Sequence, residues 1–268
     1  MSKTENYKAI NRELWNNKVE SHVNSDFYNM PAFLNGVSSL NHIELDLFGD
    51  IKGKSVLHLQ CHFGQDSISL SRMGAKVTGV DLSDKAIAKG KELAKQLGTD
   101  TEFICSDIYN LPNVLDKTFD FVFTSYGTIG WLPDLNKWAA VISKFLKPKG
   151  QFVFVEFHPV VWMFDDDFTQ IKYAYSQKEA IIEEEEGTYA DRNADLKQEF
   201  VTWNHSLSDV IQNLINNSLS IKCFNEFDYS PYPCFNHVEE FEKGKYRIKP
   251  LGDKIPMVYA IKAQKNLI

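Results

Sequence analysis

Cationic residues are in the minority in this 268-residue chain: 29 Lys and Arg stand against 36 Asp and Glu, a formal net charge of −7. Binding to a polyanionic backbone rests on Lys and Arg displacing condensed counterions, so nucleic acid is not an expected partner. Long hydrophobic runs are missing too. No stretch of 18 apolar residues occurs, and the opening MSKTENYKAINREL has no apolar core of the kind a signal peptide needs. No membrane association and a cytoplasmic address are therefore expected. Cysteine is sparse: Cys61, Cys105, Cys223 and Cys234 form no CxxC pair, which points to reduced thiols and not to a disulfide framework. Internal repeats and low-complexity linkers are absent. What is there is the balance of a globular protein, 43% hydrophobic and 24% charged, long enough to bury a large core.

Residues 55–157 alternate between strand and helix signals. SVLHLQ, AKVTGVDL, TEFICSD, FDFVFTSY and GQFVFVEF read as strands, with helices at DSISLSRMG, SDKAIAKGKELAKQLG and DLNKWAAVISKFL. In the second helix Ile87, Gly90, Ala94 and Leu97 share one face, with Ser83 as N-cap and Gly98 as the stop. Gly90 on that face lets the helix lie close to a sheet. GQFVFVEF is too continuously apolar to have a wet side, as expected of a strand covered on both faces. The alternation implies parallel strands joined by right-handed crossovers, an open α/β sheet.

The flanks differ. Residues 1–50 read as a helical, amphipathic lead or lid segment, and 51–268 as one domain with an inserted cap at about 159–204. Within that cap the run Glu183 to Glu186 reads as a solvated surface or turn. After it SLSDVIQNLINNSL is a helix, and SIKCFNEFDY and PMVYAIKA are strands.

Ligands of open α/β sheets collect beyond the carboxyl ends of the strands. Four loops should end there. QCHFG follows the first strand, and Gly64 allows close backbone approach and a positive φ. Asp81 ends VTGVDL, where a carboxylate can accept both hydroxyls of a ribose. Asp107 follows the third strand, where it can accept an adenine amino hydrogen while the Ile108 N–H meets a ring nitrogen. TSYG, Thr124 to Gly127, ends the fourth. Taken singly, each is as well read as a turn or cap residue.

Together, in this order, they resemble the class I S-adenosylmethionine-dependent methyltransferases of the small-molecule, quinone-biosynthesis-like type. The resemblance runs from Ser55 to Phe157 and is closest at GAKVTGVDLS, Gly74 to Ser83; HLQCHFG, TSYG and EFHP mark a subgroup of such proteins. It implies a Rossmann-like methyltransferase fold: a seven-stranded sheet of order 3-2-1-4-5-7-6, strand 7 antiparallel, helices on both faces. It further implies S-adenosyl-L-methionine as cofactor. The cofactor contacts it implies come from Gln60, Cys61, His62 and Gly64, from Asp81 and Leu82, from Asp107 and Ile108, and from Ser125 and Tyr126.

The departures sit in the first loop. His58 stands where the family has Asp or Glu, and Gln60 and His62 stand where it has its first two glycines. An L-residue fills such a loop if its φ stays negative, and the side chains of Gln60 and His62 then replace bare backbone in bonding the cofactor carboxylate. His58, Cys61 and His62 fall at i, i+3 and i+4, a zinc spacing on a helix. On a strand they face different ways, and no second cluster adds ligands, so no metal is expected; His58 and Cys61 as packed core groups remain the plain alternative. Nicotinamide dinucleotide folds also use a first-strand glycine loop and an acid after strand two, but HFGQDS lacks GxGxxG, and Asp66 would repel a pyrophosphate at the helix N-terminus.

The expected activity is in-line methyl transfer to an unidentified small molecule; a non-catalytic protein binding S-adenosylmethionine or its product fits the same motifs. His158 and Tyr126 are the candidate catalytic groups near the strand ends. Glu156, on one strand face with Phe152 and Phe154, reads as a buried, hydrogen-bonded carboxylate. Trp15, Tyr28, Trp131, Trp162 and His205, with Tyr189, are candidates for a pocket wall suited to a planar or apolar acceptor.

Overall fold

The computed structural model describes residues 2–267. The chain begins with three helices, α1 (Tyr7–Asn24), α2 (Met30–Leu34) and α3 (His42–Phe48). It then alternates through β1 (Ser55–Leu59), α4 (Gln65–Arg72), β2 (Lys76–Asp81), α5 (Asp84–Leu97), β3 (Glu102–Cys105), β4 (Phe119–Ser125), α6 (Leu135–Phe145) and β5 (Leu146–Phe157). A hairpin of β6 (Gln177–Glu186) and β7 (Lys197–Asn204) follows, then α7 (Leu207–Asn216), β8 (Leu219–Phe227), a second hairpin of β9 (Val238–Glu242) and β10 (Lys245–Ile248), and β11 (Val258–Lys265).

Among the described residues the main sheet has seven strands in the order β3-β2-β1-β4-β5-β11-β8. The first five pair parallel, and β11 runs antiparallel to both β5 and β8. This is the expected 3-2-1-4-5-7-6 order with its reversed last strand. Strand β5 shows why the sheet is apolar on both sides. Phe152 and Phe154 pack with Trp138 of α6 and Tyr259, while Val153 and Val155 pack on the other face with Phe48 of α3 and Phe123.

Helix α5 forms as its sequence requires. The Ser83 hydroxyl accepts the Ala86 N–H at 3.0 Å, and Gly98 closes the helix at φ 63°. A glycine slot then seats Phe103 of β3. A Cβ built on Gly64, Gly79 or Gly90 would lie 2.3, 2.8 or 3.1 Å from the Phe103 ring. Loop, strand and helix thus close on one aromatic side chain because all three lack a side chain of their own.

The Glu183–Glu186 run is not a turn. It is the end of β6, with Glu183 and Glu185 half-buried and Glu184 and Glu186 exposed. Glu183 accepts from Lys172 at 2.7 Å and from the Tyr173 hydroxyl, while Glu185 ion-pairs with Lys18 of α1, a lysine only 2% exposed. Helix α1 is also stitched to β7, where the Asn11 amide pairs with both the carbonyl and the N–H of Val201, at 2.8 and 3.0 Å. Glu185→Gln is expected to destabilise the protein by about 2 kcal/mol, below the ~3–5 kcal/mol for a fully buried pair because Glu185 keeps contact with water. Adding Lys18→Met should restore most of that loss in urea unfolding. Additive losses in the double variant would rule out the ion pair as the cause.

Candidate active site

The carboxyl ends of β3, β2, β1, β4 and β5 open into one cleft of about 880 Å³. Of the residues singled out from sequence, Gln60, Cys61, His62, Gly64, Asp81, Leu82, Asp107, Ile108, Ser125 and Tyr126 all line it, as do Trp15, Tyr28, Trp131, Trp162, Tyr189 and His205. His158 does not.

The first loop departs from expectation in its backbone. Gln60 and His62 hold φ of 54° and 50°, so the negative φ anticipated for side-chain-bearing residues is not what the loop adopts. It keeps the left-handed shape that glycine would take, at a cost of roughly 1–2 kcal/mol per residue, and the surroundings hold it there. The His62 N–H donates to Asp81 Oδ2 at 2.8 Å, the Cys61 N–H to the Val80 carbonyl at 2.9 Å, and Gln60 Nε2 to the Thr128 carbonyl at 2.8 Å. The His62 ring packs edge-on against Trp15 at 5.2 Å, and its Nε2 lies 3.0 Å from His22 Nδ1. Burial pushes the His62 pKa down to about 3, so the imidazole is neutral at pH 7. The Gln60 amide gives one N–H to a carbonyl and keeps a second, while its Oε1 has no partner among the described residues.

His58 is buried against Phe123, its Nδ1 2.8 Å from the Ser67 hydroxyl, and burial pushes its pKa down to about 3. The packed, satisfied reading fits this placement. Cys61 is likewise buried, beside Gly79. Among the described residues no group of three or more His, Cys, Asp or Glu is arranged to hold a metal ion.

Asp81 has the geometry for vicinal hydroxyls. Oδ1 accepts the Ser83 N–H and Oδ2 the His62 N–H, each at 2.8 Å, which aims both oxygens and leaves each a free lone pair. Burial pushes its pKa up to about 6. At the next strand end Asp107 caps a turn, accepting the Asn110 N–H at 3.0 Å, and pairs with Lys8 of α1 at 3.1 Å. These placements fit an adenosine laid across β3, β2 and β1.

On the other side of β1, the loop after β4 is organised by Glu156. Its carboxylate accepts from the Gly127 N–H, the Thr128 N–H at 2.7 Å, the Thr128 hydroxyl at 2.9 Å, the Ile129 N–H at 3.2 Å and its neighbour Phe157 N–H at 2.7 Å. This loop presents Tyr126, at φ 46°, whose hydroxyl donates to Glu44 of α3 at 2.9 Å. Burial and the nearby Asp66 push Glu44 up to about 7. Glu44 was missed. Asn41-x-x-Glu44 reads as a capping box, and so it is, but that pattern says nothing about the second carboxylate oxygen.

The catalytic expectation for His158 is corrected. Its Nε2 lies 2.9 Å from Glu226 Oε1 of β8, and its Nδ1 accepts the Val160 N–H at 3.2 Å. With the ring turned to the β8 edge, both nitrogens are engaged away from the cleft. The aromatic walls are as follows. Trp131 donates Nε1–H to the Gly127 carbonyl at 2.7 Å and meets Trp15 edge-on. His205 sits with Nε2 2.7 Å from the Leu132 carbonyl, and Trp162 packs on Phe157 and Phe235. The hydroxyls of Tyr28, in the turn between α1 and α2, and Tyr189, between β6 and β7, meet.

Residues 56–150 match the family described as "Methyltransferase domain". An uncharacterized protein of Haemophilus influenzae is 26% identical over 270 residues, 93% of this chain and 98% of that one. A ubiquinone biosynthesis O-methyltransferase of Coxiella burnetii is 32% identical over 124 residues, 46% of this chain; the match spans about half, 51%, of that relative. Among solved structures, an S-adenosylmethionine-dependent methyltransferase described as putative, from Listeria monocytogenes, superposes with a TM-score of 0.60 at 19% identity, covering 84% of this chain and 97% of that one.

Proposed function

We propose that this chain, whose residues 56–150 form a methyltransferase domain of the class I S-adenosylmethionine-dependent type, methylates a small-molecule acceptor. The observation that carries the reading is Asp81, with both oxygens aimed by backbone N–H groups and a lone pair left on each, beside a loop held in left-handed shape. S-adenosylmethionine supplies, when bound, a methyl group on a sulfonium whose departure leaves S-adenosylhomocysteine. The protein's part is to align the acceptor and exclude water.

Asp81 takes the ribose hydroxyls, and Asp107 with the Ile108 N–H takes the adenine edge. Trp15, Trp131 and Trp162 wall the acceptor side, which suits a planar or apolar molecule. Tyr126 Oη accepts the acceptor's proton while passing its own to Glu44, which near pH 7 is divided between its acid and carboxylate forms.

Calorimetric titration of S-adenosylhomocysteine and, separately, NADH tests the first step. Wild type is expected to bind the former and not the latter. Asp81→Ala should weaken binding by about 100-fold, the loss of two charge-assisted hydrogen bonds at ~1.5 kcal/mol each. NADH binding, or an unchanged Asp81→Ala affinity in a folded variant, would overturn the reading.

A further inference from the structure

An α-amino-acid tail carries an ammonium group, and a buried ammonium needs anionic or carbonyl acceptors. Position 58, an acid in the family this chain resembles, is here a neutral imidazole already bonded to Ser67. The other carboxylates at the sheet edge serve other parts of the site. Asp81 and the Lys8-paired Asp107 lie on the adenosine side of the reading above, and Glu156 is filled by five donors. Asp66, in the first turn of α4, is different. It lines the cleft and accepts only from two hydroxyls, Ser39 at 2.6 Å and Ser125 at 3.5 Å, with no cation paired to it among the described residues. Ser125 ends β4, which puts Asp66 on the side of β1 away from Asp81. Gln60, whose buried Oε1 lacks a partner among the described residues, is one of the residues lining the same cleft.

We propose that Asp66, with Gln60 Oε1 as second acceptor, holds the α-ammonium of the cofactor's amino-acid tail, replacing a carboxylate at position 58. The inference rests on the methyltransferase reading above. A cation there also relieves the repulsion between Asp66 and Glu44, two carboxylates close enough to act on each other. In this arrangement the charge has moved from the end of the strand to the start of the following helix, and the Ser39 and Ser125 hydroxyls keep it aimed.

The test compares S-adenosylhomocysteine with its deaminated analogue and with 5′-methylthioadenosine, which lacks the tail, by calorimetry on wild type and Asp66→Asn. Wild type is expected to favour S-adenosylhomocysteine over the deaminated analogue by at least tenfold. Asp66→Asn should erase that preference and leave 5′-methylthioadenosine binding unchanged. Equal wild-type affinity for the two tailed ligands would overturn the proposal, and this result stands even if the variant does not fold. A preference that survives in a folded Asp66→Asn would also overturn it. If wild type binds neither S-adenosylhomocysteine nor 5′-methylthioadenosine, the methyltransferase reading itself falls.

Discussion

Gly64→Ala is expected to destabilise the protein by roughly 2–5 kcal/mol, the sum of a left-handed L-residue (~1–2) and an overpacked contact (~1–3). Both causes are geometric. Gly64 has φ 81°, and a methyl group there would stand 2.3 Å from two carbons of the Phe103 ring. The ring cannot retreat, because Gly79 and Gly90 hold it from the other sides. Urea unfolding measures the loss, and a double-mutant cycle divides it. Phe103→Ala removes the obstacle but not the backbone strain, so Gly64→Ala in that background should lose about 1–3 kcal/mol less than in wild type. Strict additivity would show that the ring is not what excludes a side chain. Because Gly64 closes the loop that carries Gln60 and His62, the same substitution should also weaken S-adenosylhomocysteine binding at temperatures where the variant remains folded.

Glu156→Gln is the second large effect, on the order of 3–5 kcal/mol. The amide keeps the volume of the carboxylate but turns an N–H₂ toward N–H and O–H groups that had an acceptor. Each buried donor left without a partner costs about 1–3 kcal/mol. The damage should be local in structure and wide in consequence. Residues 127–129 hang from this carboxylate, and through them the Thr128 carbonyl that holds Gln60 and the Gly127 carbonyl that holds Trp131. Hydrogen exchange should therefore show the amides of 127–129 opening far more readily in the variant, while those of β1 and β4 change less. Unchanged protection at 127–129 would mean that the carboxylate is not the anchor.

The strands and helices from 55 to 157 were legible because each announces itself by apolar period and punctuation; the order of the sheet came from the family resemblance, and the strand ends then point to the cleft. Asp81, Asp107 and Gly64 could be found this way, as their position after a strand is a local property. Glu44 and Asp66 could not be ranked, since what matters is the partner each meets across the fold, Tyr126 in one case and Ser125 in the other. The β6–β7 hairpin was hidden for a different reason. A strand is recognised by alternation of chemical type, and four consecutive glutamates alternate in environment but not in type. His158 looked well placed by position, and its exclusion comes from β8, a strand whose pairing with β11 no local pattern foretells. The left-handed shape of Gln60 and His62 was likewise invisible, being held by contacts with Asp81, Thr128 and α1.

The cleft has walls of two origins. The floor from β1 to β4 lies inside the segment that matches the methyltransferase domain, whereas the cleft end of β5, Trp15 and Lys18 on α1, and Trp162, Glu185 and Tyr189 in the stretch after β5 lie outside it. The two outer pieces are joined to each other, by Asn11 on Val201 and by Lys18 on Glu185, as much as to the floor. They therefore make up a single exchangeable unit even though about a hundred residues of chain separate them. Swapping residues 1–50 and 159–204 together between relatives would move the aromatic wall with its joints intact, and would carry along Lys8 and Ser39, which reach Asp107 and Asp66 of the floor. Swapping either alone would leave a buried lysine or a strand edge without its mate.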